Sequence, residues 1–127
     1  MIIFLKFIFH ISVLFLIIVS LYPGSLLGYI FYGDLTKQPN LINNPFGTSI
    51  NHFIYYFYIS MLGLSLNLRS VNFQKLVYGL FILSIVLEVM QFIVPNRAFQ
   101  LNDLISNFLG VLLAFFLVKI YLFYNKS

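Results

Sequence analysis

Six polar side chains stand where an apolar sequence would be expected to exclude them. Glu88 and Gln91 lie within the apolar run 76–94, and Asp103 and Asn107 stand at the start of the run that ends at residue 123. Arg97 falls in the short segment between those runs, and His52 opens a third run to residue 68. A carboxylate held in hydrocarbon costs several kcal/mol unless it is paired or protonated. Gln91 is three residues from Glu88 and Asn107 four from Asp103, so each pair shares one helix face. Two chemistries suit this set. In the first, Glu88 is a general acid or base, His52 a second proton-transfer group and Arg97 a stabiliser of developing negative charge. In the second, nothing reacts: Arg97 meets an anionic group, and Gln91 and Asn107 fix its orientation by hydrogen bonds. Arg97 is also expected to fork onto Glu88 or Asp103 and keep it ionised.

Plainer roles compete with these. Asp103 suits the N-cap of its helix, where the dipole also favours a carboxylate. Gln91 and Asn107 serve equally as interhelical hydrogen-bond donors. His52 suits a headgroup contact, and Lys119 can snorkel to the surface. One His and two carboxylates without close spacing make a poor metal set, so neither a metal nor a cofactor is expected. The chain has no Cys, which removes disulfides and thiolate ligands. It shows no hydrolase or transferase motif, which weighs against an enzyme.

The elements that position these residues follow from composition. Of 127 residues only 8% are charged, against roughly 25% in an ordinary soluble domain. The apolar fraction is 61% and the mean hydropathy is +1.00. Such a chain cannot cover itself with a polar skin, which excludes a soluble monomer and a disordered chain and makes a bilayer the solvent. Its basic residues are scattered from Lys6 to Lys126, so they form no nucleic-acid footprint. A spanning helix needs about 20 mostly apolar residues. Runs at about 2–22, 52–68, 76–94 and 104–123 qualify, the second being short enough to begin as early as residue 48 or 49.

The expected fold is therefore all-α: a bundle of four transmembrane helices in a single domain, 1–127. Lys6, Arg69, Lys75, Lys119 and Lys126 flank one side, and Lys37 and Arg97 the other. The positive-inside rule then puts both termini in the cytoplasm and segments 23–51 and 95–102 outside. A cleaved signal peptide is the alternative for the first run, with Lys6 as its basic region, but the apolar stretch is longer than usual. Tyr78, Tyr121 and Tyr124 read as inner headgroup anchors, and Tyr22, Tyr55, Tyr56 and Tyr58 as outer ones, with Tyr55 and Tyr56 the two for which anchoring need not be the whole role. Segment 23–51, with Pro23, Pro39, Pro45, Asn40, Asn43 and Asn44, reads as turns plus one short interfacial helix at about 26–32. Ser106, Gly110 and Ala114 form a small-residue stripe that invites close helix packing, within the chain or between copies. Gly24-x-x-x-Gly28 is a weaker signal of the same kind.

These residues resemble the VanZ-like family of bacterial membrane proteins. The resemblance is carried by Glu88-x-x-Gln91, Pro95, Arg97 and Asp103-x-x-x-Asn107-x-x-Gly110, and more loosely by His52-Phe53, Tyr56 and the apolar run to Leu66. It is strongest over 48–114. Thr48 and Ser49 replace an Asp-Lys pair common in the family, which removes whatever that pair contributes. The resemblance implies a multi-pass protein of the bacterial cytoplasmic membrane acting at the cell envelope. The family's namesake is associated with teicoplanin resistance. The partners it implies are membrane lipid, a lipid-linked cell-wall precursor or a glycopeptide antibiotic, with no nucleic acid. An oligomer joined through the small-residue stripe, with no site of its own, is a third reading beside the ligand site and the intramembrane enzyme.

Overall fold

The computed structural model describes residues 1–39, 42, 44, 45 and 47–126. Asn40 and Asn43 of the outer segment lie outside the described residues. The described residues form five helices and no strand: α1 (Ile2–Leu21), α2 (Leu26–Tyr32), α3 (Ser49–Ser65), α4 (Phe73–Met90) and α5 (Leu101–Tyr124). Continuous apolar sequence makes α1, α4 and α5 long and apolar enough to cross a membrane. At 17 residues, α3 is shorter. The short helix expected at 26–32 is α2. Ser25 caps it by accepting from Gly28 N at 3.0 Å, and Gly33 ends it in the left-handed region at φ 66°, where a side chain would be strained.

Contacts along the helices fix their directions. Ser49 and Gly110 of parallel helices α3 and α5 each meet the other helix at matching heights: Ser49 bonds Asp103, and a Cβ on Gly110 would lie 2.6 Å from the Phe53 carbonyl. The small-residue stripe therefore works inside the chain. Gly110 and Ala114 are buried within the chain, whereas Ser106 is half-buried. α1 runs antiparallel to α3: a Cβ on Gly63 would strike the Phe9 ring, Tyr58 OH lies 3.1 Å from Ser12 Oγ, and Tyr55 OH donates to the Ser12 carbonyl at 3.0 Å. Lys119 of α5 lies over the Phe73 ring that starts α4. Both ends of the chain thus lie at one end of the bundle. That end holds much of the apolar core, with Leu64, Phe73, Val77, Leu80 and Val118 buried. α1 buries only Leu16 and Ser20 and exposes Phe4, Phe7, Ile11, Leu14 and Ile18, as a helix facing lipid should.

Several helix limits differ from the runs read in the sequence: α4 begins at Phe73 rather than 76, and α3 ends at Ser65 rather than 68. α3 starts at Ser49, the earlier start that the sequence allowed beside 52, because its first turn is polar yet faces protein: Ser49 is buried, and Asn51 Nδ2 donates to the Pro39 carbonyl. α5 starts at Leu101 rather than 104; Asp103 of its first turn is buried against α3, while Leu101 and Asn102 are exposed. α4 ends at Met90 rather than 94, and exposed Phe92 and Ile93 turn out of the helix ahead of Pro95, which disfavours a helical residue before it. The turn then passes through Asn96, a non-glycine residue at φ 59°. In the outer segment, Gly28 lies so close to the Lys37 carbonyl that a Cβ there would overlap it. Asp34 accepts from Thr36 N and Oγ1 at 2.8 and 2.6 Å, which holds its carboxyl below the usual range.

Candidate functional site

At the bundle end opposite the chain termini, α3 and α5 begin and α4 finishes. All six sequence-selected residues meet there. Glu88 is 1% exposed. Since α4 stops two residues later, protein rather than depth in a bilayer buries it. The chain folds back over it, and Gln100 N donates to Glu88 Oε1 at 3.3 Å. Asn107 Nδ2 donates to Glu88 Oε2 and to the Ser84 carbonyl, each at 3.4 Å. Asn107 Oδ1 lies 3.0 Å from His52 Nδ1, so Nδ1 carries hydrogen in the tautomer that this contact assigns.

His52 stands between two carboxylates. Its Nδ1 is 4.0 Å from Glu88 Oε2 and its Nε2 is 3.5 Å from Asp103 Oδ2. Asp103 is buried in the first turn of α5, where the helix dipole favours its charge. It is not the N-cap: Gln100 occupies that position and makes no side-chain capping bond. Packing against α3 takes precedence, because the Asp103 carboxylate accepts from Ser49 Oγ at 2.6 Å. His52, Glu88 and Asp103 each offer a ligand atom, all within 4.8 Å of one another. The structure thus assembles the donor set that wide sequence spacing had discounted.

Arg97 makes no ion pair within 4 Å among the described residues, contrary to expectation. Its Nη1 donates to the Gly24 carbonyl at 3.0 Å. Gln91, oriented so that both ends of its amide are satisfied, accepts from Arg97 Nη2 at 3.0 Å and donates to Glu88 Oε1 at 3.3 Å. The amide therefore separates the guanidinium from the carboxylate. Burial lowers the Arg97 pKa while Glu88 and Asp103 oppose that shift; an arginine side chain stays charged regardless.

Two cavities meet at Arg97. One, of about 420 Å³, is polar-walled and includes Ser25, Thr36, Gln91, Gln100 and Asp103 in its lining. The other, of about 260 Å³, is an apolar groove between α1, α2 and α3, walled by Phe15, Leu16, Val19, Leu27 and Phe31, with His52 and Tyr56 also on its lining.

A model of the VanZ/LLP1 family matches residues 2–123. The chain belongs to the VanZ/LLP1 family. The search of curated proteins and that of solved structures each returned no match. In this VanZ/LLP1 chain the sequence reading missed two members of the site. Ser49 stood at a position where the family resemblance marked a loss, yet it holds Asp103. Tyr56, one of the two tyrosines for which the sequence left more than headgroup anchoring open, is 1% exposed, and its hydroxyl has no hydrogen-bond partner among the described residues. Its position four residues after His52 was the available signal, since that spacing shares a helix face. Tyr55 is likewise no simple anchor, because it bonds α1.

Proposed function

We propose that this VanZ/LLP1 protein is a multi-pass protein of the bacterial cytoplasmic membrane that binds an amphiphile with an anionic head. The head would occupy the polar cavity and the tail the apolar groove. The observation that carries this reading is Arg97, which lines both cavities. Its two hydrogen bonds leave further donors of its five N–H groups for an anion. A membrane lipid, a lipid-linked cell-wall precursor and an acylated glycopeptide share this chemistry.

The proposed topology has four spans with both termini in the cytoplasm. At 1.5 Å per residue, the 17 residues of α3 extend about 26 Å, close to the hydrocarbon thickness, and α3 runs beside α5. The basic-residue bias then turns the polar cluster outward, to the cell envelope. The absence of Cys makes this directly measurable. In intact cells an impermeant thiol reagent should label Asp34→Cys but not Ser70→Cys or Asn125→Cys. The opposite pattern would invert the topology.

For the site, the full chain in detergent should bind fluorescent phosphatidylglycerol more tightly than phosphatidylcholine. Arg97→Ala should remove that preference by about tenfold, the equivalent of one charge-assisted hydrogen bond. An unchanged preference would overturn the reading. A second reading, an intramembrane enzyme with Glu88 as general acid or base, draws on the contacts of His52 with two carboxylates. Full biological activity in Glu88→Gln would count against it.

A further inference from the structure

We propose that His52, Glu88 and Asp103 form a binding site for a divalent metal ion of the zinc class. The proposal is independent of the amphiphile reading above. It begins with charge balance. Two carboxylates are buried together, and the nearest fixed cation, Arg97, is held off by Gln91. Buried charges persist when paired or bound to a metal, and a dication balances two carboxylates.

The hydrogen bonds are arranged as a metal site requires. Ser49 Oγ holds Asp103 Oδ1, leaving Oδ2 facing His52 Nε2 at 3.5 Å. Asn107 Oδ1 takes the hydrogen of His52 Nδ1, which leaves a lone pair on Nε2. Gln100 N holds Glu88 Oε1, and Oε2, which accepts one long bond from Asn107 Nδ2, lies 4.0 Å from His52 Nδ1 and keeps a second lone pair for an ion. Bonds of about 2.0–2.1 Å in a tetrahedral site place two ligands about 3.3 Å apart. The His52–Asp103 separation of 3.5 Å already matches, and since the three ligand atoms lie within 4.8 Å of one another, drawing Glu88 in needs a shift of up to about 1.5 Å. One nitrogen and two oxygens suit zinc, and three protein ligands leave an open position.

A separate observation points to the same centre. Tyr56 follows His52 by one helical turn, lines the same groove, and has a buried hydroxyl without a hydrogen-bond partner among the described residues. A water molecule on the metal would give it a partner.

The test uses the full chain purified in detergent without a chelator. Titration with Co²⁺ as a coloured probe for zinc should give a saturable visible absorption at one ion per chain, discharged by Zn²⁺. His10→Ala, which alters the other histidine, should leave it intact. Glu88→Gln and Asp103→Asn should each abolish it, and Asn107→Ala should weaken binding roughly 10–100-fold. X-ray absorption of the zinc-loaded wild type should show nitrogen and oxygen ligands at about 2.0–2.1 Å, a readout that requires no variant to fold. Substoichiometric metal in the wild type, a shell without histidine, or unchanged absorption in folded Glu88→Gln would each overturn the proposal.

Discussion

At the end of the bundle where the chain starts and finishes, Phe73, Val77, Leu80, Leu64 and Val118 pack with no polar partner to satisfy. At the other end the same helices α3, α4 and α5 present Ser49, His52, Glu88, Asp103 and Asn107, each bonded or in contact with another of the group. The apolar end depends on volume. Lipid tails are as apolar as Leu, so in a membrane that end gains from close packing rather than from escape from water. The polar end depends on direction and count, because each buried donor or acceptor left alone carries its own desolvation cost. The two ends should therefore answer differently to substitution.

The largest effect should come from Gly110→Leu. A Cβ there already lies 2.6 Å from a backbone carbonyl of α3, which cannot swing aside. Separating α3 from α5 breaks the polar end at Ser49–Asp103 and His52–Asn107 together, and thermal unfolding in detergent should show a loss above about 3 kcal/mol. Glu88→Ala follows. It strands Gln100 N, takes one of the two acceptors of Asn107 Nδ2 and should cost about 2–3 kcal/mol by the same measurement. Leu80→Ala, 3% exposed at the apolar end of the same helix, should cost only about 1–2 kcal/mol, less than in a soluble core because no transfer from water is lost. If it costs more than Glu88→Ala, the distinction between the two ends fails. Tyr55→Phe, which deletes one bond between α3 and α1, should cost about 0.6 kcal/mol.

The helices were legible because long apolar runs without alternation admit no other element, and even α2 was readable from its flanking turns. Their limits were less so, for opposite reasons at the two sides of the turn 91–100. Ser49 and Asp103 are polar but helical, since protein receives them, whereas Phe92 and Ile93 are apolar but outside the helix. Hydropathy measures preference for lipid and is silent about which polar residues a fold will satisfy. The convergence of His52, Glu88 and Asp103 followed from topology alone. Their partners did not, because a hydrogen bond is decided by tenths of an ångström. Gln91 between Arg97 and Glu88, and Ser49 in place of a cap function for Asp103, lie beyond what spacing can resolve.

The parallel seam between α3 and α5 has a bearing on how the protein is made. α3 leaves the ribosome with Ser49 and His52 in its first turns, and their partners Asp103 and Asn107 are not yet synthesised. Until α5 arrives, α3, the least apolar of the long helices, lacks the two α5 side chains that bond its polar face. A nascent chain halted before Leu101 should hold α3 loosely or leave it at the membrane surface. The last helix to emerge is thus the one that commits an earlier helix to its place.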